Sequence, residues 1–417
     1  MVVAALATVA LFGSTVLDGL VPWAVLLGTR LILGAIALMT ATSQLHRGEA
    51  AHLRQTLRPL AICLPPLGWL VLQLLPLPFG ANPVWESAAA ALPGGAWGHI
   101  TIDVSATWFS LLSVLLAALI ATAVAAQTTD RVRAENALLG LTAAAFVLPA
   151  ISVALSLETE VSSVAKISAL ECLSIGALLV MACVILAYER FETRQAGDTR
   201  ARSRIRAIAV AGGVVILCCL ATAELVGGAA ALLACLASLL TFASLVAARR
   251  FGWGMWFVFA TLALVGLGFV FVTLQASGVS GSQVAGLGDM GQQLRRNAPW
   301  LGSGGGTATI LSALYETLSD PAPYVVANIT EKLLIELGGP ACVALLVLLG
   351  WLEIVLVRDA LRRGRDSVYP MLGASLVPGV LIMSSTSLGL FGSKAVALAA
   401  GMMGLALSQR QSRSVAR

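Results

Sequence analysis

The residues best suited to chemistry lie in the stretch RRNAPWLGSGGGTATI, residues 295–310. Successive glycine N–H groups, which no side chain shields, can form a concave anion-binding site. Arg295 and Arg296 add guanidinium groups, which bind phosphate through paired hydrogen bonds. The stretch is not a P-loop, because Thr307 follows the glycines where a lysine belongs. Composition leaves two interpretations open, a phosphate-binding loop or a flexible connection whose arginines meet lipid headgroups. The loop glycines are Gly302, Gly304, Gly305 and Gly306.

Long apolar blocks must position this stretch. The 417 residues are 58% hydrophobic and only 11% charged, with a mean hydropathy of +0.91, whereas a soluble domain has about a quarter of its residues charged. The blocks are about 16 to 24 residues long, which lets a helix cross a hydrocarbon core of roughly 30 Å. We predict an all-α, polytopic transmembrane helical bundle. Its twelve predicted spans are residues 2–17, 21–41, 59–77, 107–127, 136–157, 169–188, 207–222, 227–247, 253–275, 333–356, 370–388 and 391–408.

Basic residues alternate between the two sets of loops that these spans define. One set carries 20 of the 26 lysines and arginines, while the opposite set carries only Lys166, Arg295, Arg296 and Lys332. Because positively charged loops stay in the cytoplasm, the pattern predicts that both termini are cytoplasmic. The net charge of +5 is then a result of topology, and we expect no nucleic-acid partner.

The cysteines and histidines do not suggest a metal site. All seven cysteines fall within predicted spans and none forms a CxxC pair, so neither a zinc site nor an external disulfide framework is indicated. Only His99 is predicted to be external, and one histidine is too few for zinc. We therefore expect no metal and no cofactor.

Two predicted external segments are long enough to build a site, residues 78–106 and residues 276–332. The second is the longest connection in the chain and contains the glycine-rich stretch. The chain is therefore predicted to be one membrane domain, residues 1–417, with residues 276–332 as a cap loop.

The cap loop resembles the large periplasmic loop of the O-antigen ligase and polysaccharide polymerase family. PWLGSGGGTATI is similar to that family's Pro-x-x-Gly-x-Gly-x-Gly element. In YVVANITEKLLIELGGPA, Asn328 is followed by nine residues and Gly338, which is similar to a second element that begins with a His-Asn pair. Twelve spans with the longest external loop between the ninth and tenth are also similar. The matched positions of the first element are Pro299, Gly302, Gly304 and Gly306.

The resemblance implies a metal-independent glycosyltransferase or ligase in the bacterial inner membrane. Such enzymes of lipopolysaccharide, O-antigen and exopolysaccharide biosynthesis transfer or polymerise a glycan from a polyprenyl-pyrophosphate carrier at the periplasmic face. Fixed positive charge stabilises the departing pyrophosphate, and a base assists the acceptor hydroxyl, typically by roughly 10²–10⁴-fold.

The resemblance also implies roles for particular residues. Arg295, Arg296 and the backbone of the loop glycines would contact phosphate, while Asn328 and Glu331 would line the acceptor side. Lys394, just inside the twelfth predicted span, is a candidate for a further phosphate contact. The alternative for Lys394 is that its ammonium group reaches the membrane interface.

The sequence departs from the family pattern at the proposed chemistry. Ala327 stands where the family has its histidine, and TAELVGG places Glu224 where an arginine is common. Glu331, one helical turn after Ala327, and His99 are candidates for the missing base. Arg30 lies within a span and is expected to bind an acidic group or a backbone carbonyl inside the bundle.

Two other classes of function stay open at this point. The departures from the family pattern at Ala327 and Glu224 fit a catalytically degenerate relative. Such a protein would keep the fold, lack catalytic turnover and act as a binding or scaffold subunit. Twelve spans also fit a membrane transporter, although transporters usually have repeated halves with broken helices, and no such repeat is present in the sequence.

Overall fold

In the residues that it describes, the computed structural model of the protein is almost entirely helical. It describes residues 2–14, 23–43, 58–77, 81–91, 97–156, 163–194, 199–279, 300–308, 310–311, 329–363, 366–386 and 393–410. Within these ranges the helices are joined by short turns, and the extended segments form one isolated antiparallel β-bridge, between Pro76 and His99. The predicted all-α class is therefore confirmed for the described residues.

Thirteen α-helices are numbered here in chain order among the described residues. A 3₁₀ helix, Arg58–Cys63, leads directly into α3. The helices are α1 Val2–Ser14, α2 Trp23–Ser43, α3 Leu64–Leu74, α4 Val84–Ala91, α5 Val104–Gln127, α6 Arg131–Ser156, α7 Ser163–Arg194, α8 Thr199–Arg250, α9 Met255–Val279, α10 Ile329–Leu337, α11 Gly339–Arg362, α12 Val368–Thr386 and α13 Ser393–Ser408.

Seven stretches within the described helices are long and apolar enough to cross a membrane, and shorter apolar helices accompany them. Many large apolar side chains on these helices point outward, as expected for contact with lipid acyl chains; Val210, Leu264 and Val343 are each more than half exposed. The protein is thus a multi-pass membrane protein in a lipid bilayer. The predicted tenth span begins later than expected, because a break at Gly338 separates α10 from the crossing helix α11.

Helix α8 contains two predicted spans and must reverse direction between them. Its 52 residues would extend about 78 Å if straight, at 1.5 Å per residue. However, Cys219 and Cys235 pack in one cluster with Ala177 of α7, although a straight helix would separate them by about 24 Å. The chain therefore folds back between these cysteines, where the sequence has Gly227 and Gly228.

Contacts with α7 confirm that the two arms of α8 run in opposite directions. A Cβ on Gly212 would meet the side chain of Val184, so the first arm is antiparallel to α7 when this contact is combined with the Ala177–Cys219 contact. Arg249 at the end of the second arm pairs with Glu189 at 2.6 Å. The prediction of two separate crossings is therefore supported by geometry within a single helical element.

Most of the basic loops meet at one end of the bundle, which we call the basic end. Ion pairs and hydrogen bonds there connect the turn after α5 with the ends of α7, α8, α11, α12 and α13. They include Arg131–Asp366 at 3.1 Å, Arg190–Glu135, Arg249–Glu189 at 2.6 Å and Arg410–Asp359 at 3.3 Å. This common location agrees with the predicted alternation of the loops.

The glycine-rich stretch lies at the opposite end of the bundle. Helix α5 begins after Asp103, whose neighbour Ile102 donates its N–H to Ser303 O at 2.8 Å. It ends before Thr128, which is hydrogen-bonded to Ser408 at the basic end. The 24 residues of α5 separate the two ends by about 36 Å, as expected for a helix that crosses a bilayer.

Candidate functional site

The glycine loop and Gly338 form one tightly packed contact, which we call the glycine junction. It joins residues 300–308 to α3, to residues 99–106 and to residues 335–338. The three glycines at alternate positions in the loop have positive φ angles of 82°, 106° and 79°, and Gly338 has 82°. Positive φ angles are energetically unfavourable for residues that have a Cβ. The backbone conformation therefore explains why glycine stands at these positions. The loop glycines concerned are Gly302, Gly304 and Gly306.

The loop amides cap the carboxyl-terminal end of α10. Helix ends leave their last carbonyl groups without helical partners. Here Ser303 donates its N–H to Ile335 O at 2.8 Å, and Gly304 donates to Glu336 O at 3.0 Å. The next carbonyl, Leu337 O, accepts from the indole N–H of Trp69 at 2.9 Å. The glycine loop therefore holds the end of α10 against α3.

Gln73 of α3 is the central polar side chain of the junction and is fully buried. Its amide Nε2 donates to Glu336 O at 2.9 Å and to Leu301 O at 3.3 Å. Its Oε1 accepts the N–H of Gly305 at 3.2 Å. One side chain thus connects the first third of the chain to both elements that carried the family resemblance.

The buried side chain of Glu336 accepts hydrogen bonds from further backbone N–H groups of the loop. It accepts from the backbone N–H groups of Gly306 and Ala308, the latter at 3.3 Å. Burial raises the pKa of Glu336, and the effect is opposed by Lys332, whose Nζ lies 3.7 Å from the carboxylate, and by these amides. The glycine loop therefore already binds a carboxyl group, which belongs to the protein itself.

This geometry bears on the predicted phosphate contacts of the loop backbone, which stay a prediction. The amides of Ser303, Gly304, Gly305 and Gly306 donate to protein acceptors, and they face the negative end of the α10 dipole. A phosphate group could reach them only if α10 and Gln73 moved away. In this structure the loop is a junction between helices.

The start of α5 supports the loop from the other side. Asp103 caps the helix by accepting the N–H groups of Ser105 at 2.7 Å and Ala106 at 3.1 Å. The Ser105 hydroxyl and these amides lower the pKa of Asp103. Thr101, also fully buried, contacts Gly304. The packing leaves no space for a side chain at that glycine.

His99 lies beside the junction and has a defined ring orientation. Its Nδ1 is 2.9 Å from Leu74 O, and a carbonyl oxygen only accepts hydrogen bonds, so Nδ1 carries a proton. In the neutral ring, Nε2 is therefore the basic nitrogen. The ring packs edge-on to Trp85, with 5.2 Å between centroids. This geometry is compatible with the predicted role as a base, which stays a prediction.

The two charges predicted inside spans are both buried. Arg30 donates to the carbonyl oxygen of Ser14 at 2.8 Å and to its hydroxyl at 3.1 Å, which confirms the expected backbone partner. Lys394 is only 8% exposed, and its charge and that of Glu171 both act on the thiol of Cys172. Lys394 therefore lies within the bundle beside α7, and its predicted phosphate contact stays a prediction.

Several predicted site residues fall outside the described ranges. These are Arg295, Arg296 and Asn328, together with Ala327 at the position of the family histidine. Glu331 belongs to α10, but its side chain is not among those described. Glu224, the departure from the family pattern, is an exposed residue near the reversal of α8.

Sequence reasoning missed the polar residues that hold the junction together. Gln73 and Glu336 were both treated only as parts of predicted apolar spans, residues 59–77 and 333–356. A glutamine inside WLVLQLLPLP is a signal that could have identified the first, since polar groups within membrane segments require partners. Glu171 and Glu353, two carboxyl groups within apolar helices, were also overlooked. Comparison of the chain with protein-family models and with curated protein sequences gives no match.

Proposed function

We propose that this chain is an inner-membrane protein of bacterial surface-polysaccharide assembly, similar to O-antigen ligases and polymerases. It would transfer or polymerise a glycan from a polyprenyl-pyrophosphate carrier at the periplasmic face, below the cap loop of residues 276–332. Neither a metal nor a cofactor is needed for this transfer. The basic end would then face the cytoplasm, with both termini, in accordance with the positive charge of its loops.

One observation carries the proposal. The two sequence elements that resemble the family are separated along the chain, yet Gly302 and Gly338 are in direct contact. A Cβ on Gly302 would lie 2.7 Å from the nitrogen of Gly338. Two motifs that pack on each other form one structural unit, which supports the view that the resemblance is more than a coincidence of glycine spacing.

The phosphate-binding role falls mainly to Arg295 and Arg296 in this proposal. The glycine junction follows them directly in sequence and anchors the chain at residue 300, so it limits where the two guanidinium groups can reach. Glu331 belongs to α10, the helix whose end the junction holds, and Asn328 precedes that helix in the sequence. In this proposal the donor phosphates bind Arg295 and Arg296, and the acceptor hydroxyl binds beside Asn328 and Glu331.

The proposal is tested in a deletion strain of the native host. The variant Arg295→Ala/Arg296→Ala should fail to restore the size distribution of surface polysaccharide, because the leaving pyrophosphate loses its positive charges. Arg133→Ala/Arg206→Ala, which removes two exposed arginines near the starts of α6 and α8, is the matched control and should complement fully. Equal complementation by both variants, at equal protein levels, would disprove the site assignment.

The deletion strain also distinguishes the two reactions. Short lipid-linked repeats that accumulate while long chains disappear indicate a polymerase. Long carrier-linked chains that fail to reach their acceptor indicate a ligase. An unchanged profile contradicts both.

Ala327 favours a second candidate, a degenerate relative that binds lipid-linked glycan or acts as a scaffold. An alanine can neither accept a proton nor bind pyrophosphate. Under this hypothesis the purified protein binds the carrier-linked glycan without turnover, and Ala327→His gains transfer activity. Turnover by the wild-type protein would eliminate this candidate.

A further inference from the structure

Glu353 points into the interior of the bundle. The buried residues of α11 form a stripe on one side of the helix: Leu352, Glu353, Leu356, Val357 and Ala360. With 3.6 residues per turn, Glu353 lies between the flanking members Leu352 and Val357, in the middle of this stripe. Its side chain is only 8% exposed, so it faces the neighbouring helices and not the lipid.

The same residue lies deep in the membrane. α11 runs from Gly339 to Arg362, so Glu353 is about 21 Å from the first end and about 14 Å from the second along the helix axis. Both distances place the carboxyl group well inside a hydrocarbon core of roughly 30 Å. Water at either surface is therefore out of reach of the side chain.

Neither carboxyl oxygen of Glu353 has a hydrogen-bond partner among the described residues. α12 follows α11 after only five residues and packs against it, so the two helices run antiparallel. Since Leu356 lies beside Gly373, this register brings the apolar residue Leu376 to about the depth of Glu353. α3 and α9, which also pack near α11, have no titratable side chain. The 3₁₀ helix, α12 and the second arm of α8 carry Arg58, Cys63, Tyr369, Cys235, Arg249 and Arg250.

Among the described residues, none of these groups forms a hydrogen bond with either carboxyl oxygen of Glu353. The charged residues of α10 precede Gly339 and lie at the far end of the span. A carboxylate without a partner is far more costly to bury than the neutral acid, because the ion loses its hydration entirely. The neutral acid leaves only an unfilled hydrogen bond.

We propose that Glu353 is a protonated carboxylic acid at neutral pH, and that it is a proton-binding site within the membrane. Charged residues inside membrane helices are rare and mark proton or ion pathways. The proposal is independent of the function assigned to the cap loop of residues 276–332.

A hydrophobic carbodiimide tests the proposal, because the reaction requires the acid form. The acid proton moves to one carbodiimide nitrogen while the carboxyl oxygen bonds to the central carbon. The resulting O-acylisourea rearranges to a stable N-acylurea, and the residue gains the mass of the whole reagent. We expect dicyclohexylcarbodiimide to label the Glu353 peptide of the full chain in lipid vesicles, as read by mass spectrometry.

Two variants of α11 test which residue carries the label: one replaces the proposed site, and the other is the control. Glu353→Gln should lose the label, whereas Asp359→Asn should keep it, because Asp359 pairs with Arg410 at 3.3 Å near the basic end. Both substitutions keep the shape of the side chain, and thermal unfolding in detergent verifies the fold of each variant. Labelling of Asp359 in place of Glu353 would overturn the proposal.

Infrared difference spectra decide the matter if the reagent cannot reach the site. The spectrum of wild type minus Glu353→Gln should contain the C=O stretch of a protonated carboxyl group. The corresponding spectrum for Asp359→Asn should contain carboxylate bands. Carboxylate bands in the Glu353 difference spectrum would show an ionised residue and would refute the proposal.

Discussion

Gly302 and Gly338 lie so close together that neither can carry a side chain. A Cβ on Gly338 would be 2.6 Å from the nitrogen of Gly302, and both residues have a φ angle of 82°. The contact closes the end of α10 against the glycine loop. It is also the point at which the two family-like elements touch. This contact therefore matters for the stability of the glycine junction and for the proposed site.

Gly338→Ala should destabilise the protein, whereas Gly339→Ala should not. The first alanine must adopt a positive φ, at a cost of about 1–3 kcal/mol, and its methyl group collides with residues 300–302. Around Gly339 there is no atom within 4 Å of an added Cβ, and its φ is not positive. Thermal unfolding in detergent measures both. Equal unfolding temperatures for the two neighbours would contradict the geometry of the junction.

Gln73→Leu should destabilise the protein by about 2 kcal/mol or more, because buried donors and acceptors left without partners each cost about 1–3 kcal/mol. Gly305 N–H and Leu301 O lose their Gln73 partner, while Glu336 O keeps the hydrogen bond from Gly304 N–H. Val71→Ala, at an exposed position of the same helix, controls for a change of side chain in α3. A Gln73→Leu variant as stable as wild type would show that these hydrogen bonds contribute little.

The reversal of α8 predicts that Ser203 and Arg250 lie on the same side of the membrane. In a chain whose natural cysteines are replaced by alanine, Ser203→Cys and Arg250→Cys should react with an impermeant maleimide from one side only. Trp97→Cys, which is highly exposed at the opposite end, should react from the other side. A straight α8 would place Ser203 and Arg250 on opposite sides, so the labelling pattern distinguishes the two paths.

The stability of the protein should fall as the pH rises above 4.5, because burial raises the pKa of Glu336 above that ordinary value. Between the pKa of Glu336 in the unfolded chain and its higher pKa in the native chain, the unfolded chain has lost the proton and the native chain still holds it. The free energy of unfolding therefore decreases as the pH increases. Glu336→Gln should remove this decline. Glu86→Gln, at an exposed carboxylate of α4, should leave it intact.

Unfolding temperatures measured across this pH range test the prediction. If the unfolding temperatures of the wild type and of Glu336→Gln change in parallel with pH, the titration of Glu336 does not cause the decline. A flattened curve for Glu86→Gln would show that the effect is not specific to the buried carboxylate.

The membrane-spanning segments and the common location of the basic loops could be predicted from the sequence, because each depends on local composition. Span length follows from the thickness of the bilayer, and the loops containing Arg131, Arg249 and Arg363 do meet at one end of the bundle. The start of the crossing helix α11 was misplaced, since the break at Gly338 depends on a contact with the loop at residues 300–302.

The state of the glycine loop could not be predicted for the same reason. Whether a row of backbone donors is open to a ligand depends on which acceptors the fold brings to it. Here the acceptors come from Gln73, 232 residues before Gly305, and from Glu336, 28 residues after Ala308. Glycine spacing indicates that the backbone is accessible to close approach, but not whether phosphate or another part of the chain approaches it.

The ion pairs at the basic end have a consequence for the order in which the protein is assembled. Arg131 and Asp366 are partners at 3.1 Å, yet more than 200 residues of chain separate them. During synthesis, the turn before α6 must wait in the membrane until α7 to α11 have been inserted and the residues before α12 have emerged from the ribosome. The basic end is therefore completed last, and a nascent chain that stops before α12 exposes an unfinished surface that quality-control proteases can recognise.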